Sequence, residues 1–128
     1  MYTSLGMVAI VEDDAATRRS LERLLGASGY ETTGFASAED FLKSAIVDRA
    51  IALVLDIHLG GMSGIELRRH LSAAKSTLPV VFVTAYDDEA TRREAIAAGC
   101  VEYLRKPFDA HRLTEALERG RNAGASTE

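Results

Sequence analysis

Apolar positions along this chain alternate between short runs and helical spacing, and the order of those changes predicts the architecture. Residues 8–11 (VAIV) form a β-branched run that stops at Glu12, Asp13 and Asp14, the pattern of a strand ending in carboxylates. Leu21, Leu24 and Leu25 then recur at helical spacing, with Asp14 as N-cap and Gly29 just past the end, which predicts a helix over 15–28. Residues 30–35 (YETTGF) are rich in strand formers, and Ser37 with Asp40 three positions on opens a short helix carrying Phe41 and Leu42.

Residues 51–57 (IALVLDI) are apolar except for one aspartate, as in a central strand buried on both faces. Asp56 near its end is therefore an anomaly that needs a reason. Gly60, Gly61 and Gly64 mark a loop, after which Ile65, Leu67 and Leu71 lie on a third helix. Residues 79–84 (PVVFVT) repeat the buried-strand pattern, with proline at the tolerated first position. A fourth helix over 88–98 closes at Gly99, a fifth strand covers 101–104, and Asp109 caps a fifth helix carrying Leu113 and Leu117. The stretch from Gly120 to Glu128 is small and polar, and is expected to fray or to begin a linker.

Five strands alternating with five helices imply an α/β fold with a parallel sheet and helices on both faces. Length and composition agree with this. At 128 residues, 47% apolar and 27% charged, the chain can bury one core without disulfides or a structural metal. The expected organisation is an N-terminal extension over 1–6, one domain over 7–120, and a tail over 121–128. No apolar run is long enough to span a bilayer, and the start lacks the pattern of a secretory signal, so no membrane association is expected and the expected compartment is the cytoplasm. The single cysteine, Cys100, cannot form an internal disulfide. A net charge of −4 without a dense Lys/Arg block argues against direct nucleic-acid binding by this chain.

Right-handed crossovers bring the C-terminal ends of all strands to one edge, where open α/β sheets bind ligands. Glu12 and Asp13 end the first strand, Asp56 the third and Thr84 the fourth, and Lys106 follows the fifth. Taken singly, each has a plain structural reading: a buried or capping Asp56, a solvated acidic loop at 12–14, an ordinary strand threonine, a surface lysine. Together they place three carboxylates, a hydroxyl and an ammonium at one edge. Three acids repel unless a cation joins them, and Mg²⁺ suits one or two carboxylates plus waters and a phosphate.

The motifs VEDD ending at Asp14, LVLDIHLGGMSG around Asp56, VTA at Thr84 and RKPF at Lys106 resemble the response-regulator receiver domains of two-component signalling, over roughly residues 8–117. The style is similar to receivers of nitrogen-fixation and LuxR-type transcriptional regulators. The resemblance implies a flavodoxin-like sheet of order 2-1-3-4-5 and a phosphoryl group accepted on Asp56 as an acyl phosphate. It also implies Mg²⁺ held by Glu12, Asp13, Asp56 and the backbone carbonyl of His58. Thr84 and Lys106 would contact phosphoryl oxygens, and Tyr103 matches an aromatic that turns inward as the threonine moves, though an edge-strand aromatic is equally read as half-buried packing. A cis Lys106–Pro107 bond belongs to the same resemblance. The implied donor is a sensor histidine kinase or a phosphotransfer protein. A homodimer through the fourth-helix, fifth-strand, fifth-helix face is one arrangement open to it, and a DNA-binding output domain would belong to a longer protein. Any catalysis would be limited to Mg²⁺-dependent self-phosphorylation and self-dephosphorylation.

Other functions weigh less. A pure interaction module would be expected to lose one of the acids or Lys106. A haloacid-dehalogenase-like phosphatase would carry a D-x-D pattern at the first strand, whereas the acids here are adjacent. A dinucleotide-binding domain would carry G-x-G-x-x-G after the first strand. Two local features are unusual. Gly60 stands where many receivers have proline, so the loop carrying His58 is expected to be more mobile. The fourth helix has mainly alanines as apolar residues, with Ile96 its one large one, and is expected to dock weakly.

Overall fold

The computed structural model describes residues 3–126. Strands β1 (Met7–Val11), β2 (Glu31–Phe35), β3 (Ala52–Asp56), β4 (Val80–Thr84) and β5 (Glu102–Arg105) form one sheet in the order β2-β1-β3-β4-β5, with every pairing parallel. Helices α1 (Ala15–Ala27), α2 (Ala38–Lys43), α3 (Gly64–Ala73) and α4 (Glu89–Ala98) fill the four crossovers, and α5 (Ala110–Ser126) follows the last strand. This is the flavodoxin-like order expected from the sequence.

Strand alternation divides the core in two. Val8, Ile10, Val54, Val81 and Val83 pack with Leu21 and Leu25 of α1 and with Leu113 and Leu117 of α5. Ala9, Val11, Leu53, Leu55 and Phe82 face the other way, onto Phe41 of α2 and Leu67 and Leu71 of α3. Both faces of β1, β3 and β4 are thus dry, which is why these strands read as apolar runs and not as alternation. Each buried valine, leucine, isoleucine or phenylalanine among them contributes about 1.5–3 kcal/mol.

The helix starts follow the capping chemistry of the sequence. Asp14 accepts from Thr17 N at 2.8 Å, Ser37 from Asp40 N at 3.0 Å, Asp88 from Thr91 N at 2.8 Å and Asp109 from His111 N at 2.9 Å. Ser63 and Glu66 form a reciprocal capping box on α3.

Three features differ from expectation. A 3₁₀ turn at Ala45–Asp48 precedes β3, started by the Ser44 side chain accepting from Ile46 N at 3.2 Å. β5 is shifted by one residue from the expected 101–104, although Val101 N already donates to the Val80 carbonyl at 2.8 Å. The third concerns the predicted tail: α5 continues through Gly120 to Ser126. A Cβ on Gly120 would lie 2.9 Å from Pro79 Cβ and 3.2 Å from Val101 Cγ2, so this glycine permits close helix-to-sheet approach and does not end the helix. Residues 127 and 128 of the tail, and 1 and 2 of the N-terminal extension, lie outside the described residues. Within that extension, Leu5 N donates to the Gly29 carbonyl at 2.9 Å.

Candidate functional site

Sheet register builds the site. Val11 pairs with Leu55 and Asp56 with Val83, so Glu12, one step past Val11, falls level with Asp56. Thr84 pairs with Arg105, which puts Lys106 one step beyond. Strand alternation sends Glu12 to the side of Val8 and Ile10, Asp56 to that of Val54, and Lys106 to that of Leu104. These three therefore share one side of the sheet edge. The turn after β1 adds Asp13, and carboxylate oxygens of Glu12, Asp13 and Asp56 all lie within 4.8 Å of one another.

Glu12 and Asp56 are only 2% and 6% exposed. Lys106 Nζ donates to Glu12 Oε1 at 2.6 Å and lies 3.4 Å from Asp56 Oδ2. Asp56 Oδ1 accepts from His58 N at 3.1 Å, and Glu12 Oε2 accepts from Asp14 N at 3.1 Å. The Lys106–Pro107 bond is cis. Burial pushes the Glu12 carboxyl above its ordinary range, with the Asp56 charge adding to the rise while the Lys106 hydrogen bond opposes it. Burial would lower Lys106, but its hydrogen bond to Glu12 and the Asp56 charge outweigh that and hold the ammonium more tightly protonated.

Once all three acids ionise, one ammonium faces three carboxylates, an imbalance that a divalent cation cancels. The donors are all hard oxygens, two of them anchored in buried backbone, so the residues fit a small hard cation. No histidine or cysteine contributes a side-chain ligand to this group.

Thr84 and Tyr103 occupy the opposite alternation. Thr84 is fully buried, and its hydroxyl donates to the Tyr86 carbonyl at 2.9 Å and accepts from Tyr86 N at 3.0 Å. Tyr103 packs against the α2–α3 core, and its hydroxyl donates to Asp87 Oδ1 at 3.1 Å. Asp87 also takes Arg92 Nη2 at 2.7 Å, and the Arg92 guanidinium sits 5.4 Å from the Tyr103 ring centroid. Sequence reasoning missed Asp87 and Arg92. Asp88 supplies the N-cap, and no periodicity marks the acid beside it as a partner for an aromatic on another strand. The His58 ring meets the exposed Tyr86 ring edge-on at 5.3 Å; neither ring was assigned a role.

Comparison with known proteins gives a consistent result. Residues 8–118 match the family model described as the response regulator receiver domain. The chain is 38% identical over 112 residues to the transcriptional regulatory protein FixJ of Rhizobium meliloti, covering 88% of this chain and 55% of that protein. It is 36% identical over 111 residues to nodulation protein W of Bradyrhizobium diazoefficiens, covering 87% and 49%. It thus spans about half the length of the curated relatives it matches. Among solved structures, it superposes on the crystal structure of FixJ-N with a TM-score of 0.84 at 35% identity, covering 95% of this chain and 96% of that one. Response regulator StyR gives a TM-score of 0.85 at 39% identity, covering 93% and 60%.

Proposed function

The chain belongs to the response regulator receiver domain family, and on that basis we propose that it is a phosphorylation switch whose acceptor is Asp56. The observation that carries this reading is the convergence of three carboxylates within 4.8 Å, with the Lys106 ammonium 3.4 Å from Asp56 Oδ2.

An Asp56 carboxylate oxygen attacks phosphorus, the bond from phosphorus to the donor breaks, and its electron pair leaves with the donor. From a phosphohistidine the leaving group is an imidazole nitrogen, which then takes a proton; from acetyl phosphate it is acetate. Carboxylates are anionic at neutral pH, so the attack requires no general base. Catalysis consists of positioning and charge stabilisation. Glu12, Asp13, Asp56 and the His58 carbonyl would hold Mg²⁺, which when bound offsets negative charge on the phosphoryl oxygens. Lys106, released from Glu12, reaches another oxygen.

Thr84 serves as the reporter. To donate to a phosphoryl oxygen its hydroxyl must leave the Tyr86 backbone, and Tyr103 turns inward only by giving up Asp87. Loss of that bond frees α4, altering the α4–β5–α5 face. The donor is a sensor histidine kinase or phosphotransfer protein, and the setting is cytoplasmic; among the described residues, no helix is long and apolar enough to cross a membrane. The chain covers just over half the length of the FixJ relatives and about a quarter of DctD and NtrC, all named as transcriptional regulators, which supports a DNA-binding output domain in a longer protein.

Incubation with acetyl phosphate and Mg²⁺ followed by intact mass measurement tests the reading. One phosphoryl group is expected on the wild type and none on Asp56→Asn or in excess chelator. An unlabelled wild type under these conditions rejects it.

A further inference from the structure

The loop from β3 to α3 carries His58, and its glycines leave it without the stiffness a proline would give. The structure fixes this loop in a different way. At its far end, Gly64 N donates to the Ile57 carbonyl at 3.0 Å, and the Ser63–Glu66 capping box sets the start of α3. A Cβ on Gly64 would collide with the Asp56 carbonyl oxygen, so the loop closes tightly on β3. In its middle, Met62 N donates to Glu39 Oε2 at 2.8 Å. Glu39 stands in the first turn of α2, 23 residues earlier in the chain.

Gly61 is built around that contact. Its φ of +72° lies in the left-handed region, and a Cβ there would sit 2.7 Å from the same Glu39 oxygen. Gly60, by contrast, has open space at its Cβ position. The Met62 N–H holds the Glu39 carboxyl below its ordinary range, as expected for a carboxylate that accepts from backbone.

We propose that Glu39 is a positioning residue for the cation site: its carboxylate straps the Gly60–Gly61–Met62 segment to α2 and so holds the backbone that carries His58. It touches neither cation nor phosphoryl group. The inference rests on the proposed reading of the Asp56 site and adds to it a residue from an element outside the acidic cluster. A carboxylate-to-amide bond is worth more than a neutral one, but only part of it reaches the cation through the loop.

Calorimetric titration of the full chain with MgCl₂, with amide exchange at Met62 as a second readout, tests the strap. Glu39→Ala is expected to weaken Mg²⁺ binding about threefold to tenfold and to speed Met62 exchange in Mg²⁺-free protein. Glu39→Gln keeps a carbonyl that accepts the same N–H, and is expected to bind within about twofold of wild type. Gly61→Ala, which drives a methyl into the Glu39 oxygen from the other side, should copy Glu39→Ala and serves if that variant fails to fold. Unchanged Mg²⁺ affinity in folded Glu39→Ala or Gly61→Ala overturns the strap. So does a Glu39→Gln variant as weak as Glu39→Ala, since the loss would then follow charge and not the bond. Labelling by acetyl phosphate separates the two levels: a wild type that takes phosphate while these variants bind Mg²⁺ normally discards the strap alone, whereas an unlabelled wild type discards the reading of the site.

Discussion

The two walls of the site are held by different forces. On one side, β3 is buried along its whole length and α3 buries Gly64, Ile65, Leu67 and Leu71 against it. On the other, α4 buries only Ala95, its large Ile96 is 58% exposed, and β5 buries only Leu104. What fastens α4 is polar: Asp87 to Arg92 and Tyr103, and Arg68 Nε donating to the Gly99 carbonyl at 2.7 Å from α3. Apolar packing is non-directional and comes apart only at large cost, whereas a few hydrogen bonds can be exchanged one for another. The molecule thus combines a fixed wall that carries the proposed acceptor, Asp56, with a latched wall suited to move.

The contrast makes its largest demand on core substitutions. Leu67→Ala on α3 should cost about 2–5 kcal/mol in urea unfolding, whereas Ile96→Ala on α4 should stay within about 0.5 kcal/mol. Comparable losses would erase the distinction. Next in size is the effect of the cation, whose proposed ligands all lie away from the latched wall, at the ends of β1 and β3 and in the turns that follow them. Mg²⁺ at a hundredfold excess over its dissociation constant should stabilise the wild type by about 2.7 kcal/mol. Asp13→Asn should lose most of that gain yet be no less stable than wild type without Mg²⁺, because one repelling charge is gone. Stabilisation that survives in Asp13→Asn places the ion elsewhere.

The smallest effect belongs to the latch and is read by pH. Asp87 is held below the ordinary carboxylate range by its hydrogen bond to Arg92 and then by the Tyr103 hydroxyl. Tyr103 is pushed up to about 12 by burial, and then by its bond to Asp87 and that residue's charge. The fold therefore favours ionised Asp87 and protonated Tyr103. The Asp87 contribution is complete above the ordinary carboxylate value of about 4 and is lost as pH falls through the lowered one. The Tyr103 contribution is complete below the ordinary value of about 10 and is lost as pH rises through its raised one. Opening free energy of α4, taken from amide exchange corrected for the intrinsic rate, should be flat between these limits and fall outside them. Asp87→Asn should lower the plateau and remove the acid limb; a wild-type profile in that variant would show that Asp87 does not hold α4.

Much of this was legible in the sequence. Continuous apolar runs at β1, β3 and β4 gave the buried parallel sheet, because only a strand covered on both faces can dispense with polar positions. Acids ending two of those runs, with Lys106 after β5, pointed to the cluster that the fold brings together, since carboxylates at strand ends have no packing reason to be there. The alternation that separates Thr84 from Asp56 was not legible there: Thr84 follows Phe82 by two and Asp56 follows Val54 by two, but only the register of β3 against β4 shows that those residues face opposite cores. The small, polar composition of 120–126 was misleading because it looks like a fraying tail until the close approach of Gly120 to Pro79 is known. The Asp87–Arg92–Tyr103 cluster and the Glu39 strap lay beyond sequence reading. Both join residues of different elements through side chains whose spacing carries no period.

Borohydride trapping measures the central claim most directly, since it reduces an acyl phosphate to an alcohol and marks the residue that carried it. After treatment with acetyl phosphate and Mg²⁺, peptide mapping should find homoserine in place of Asp56 and nowhere else, and none when Mg²⁺ is withheld. Homoserine at another aspartate, or an unreduced Asp56 in protein whose mass has gained a phosphoryl group, would contradict the account.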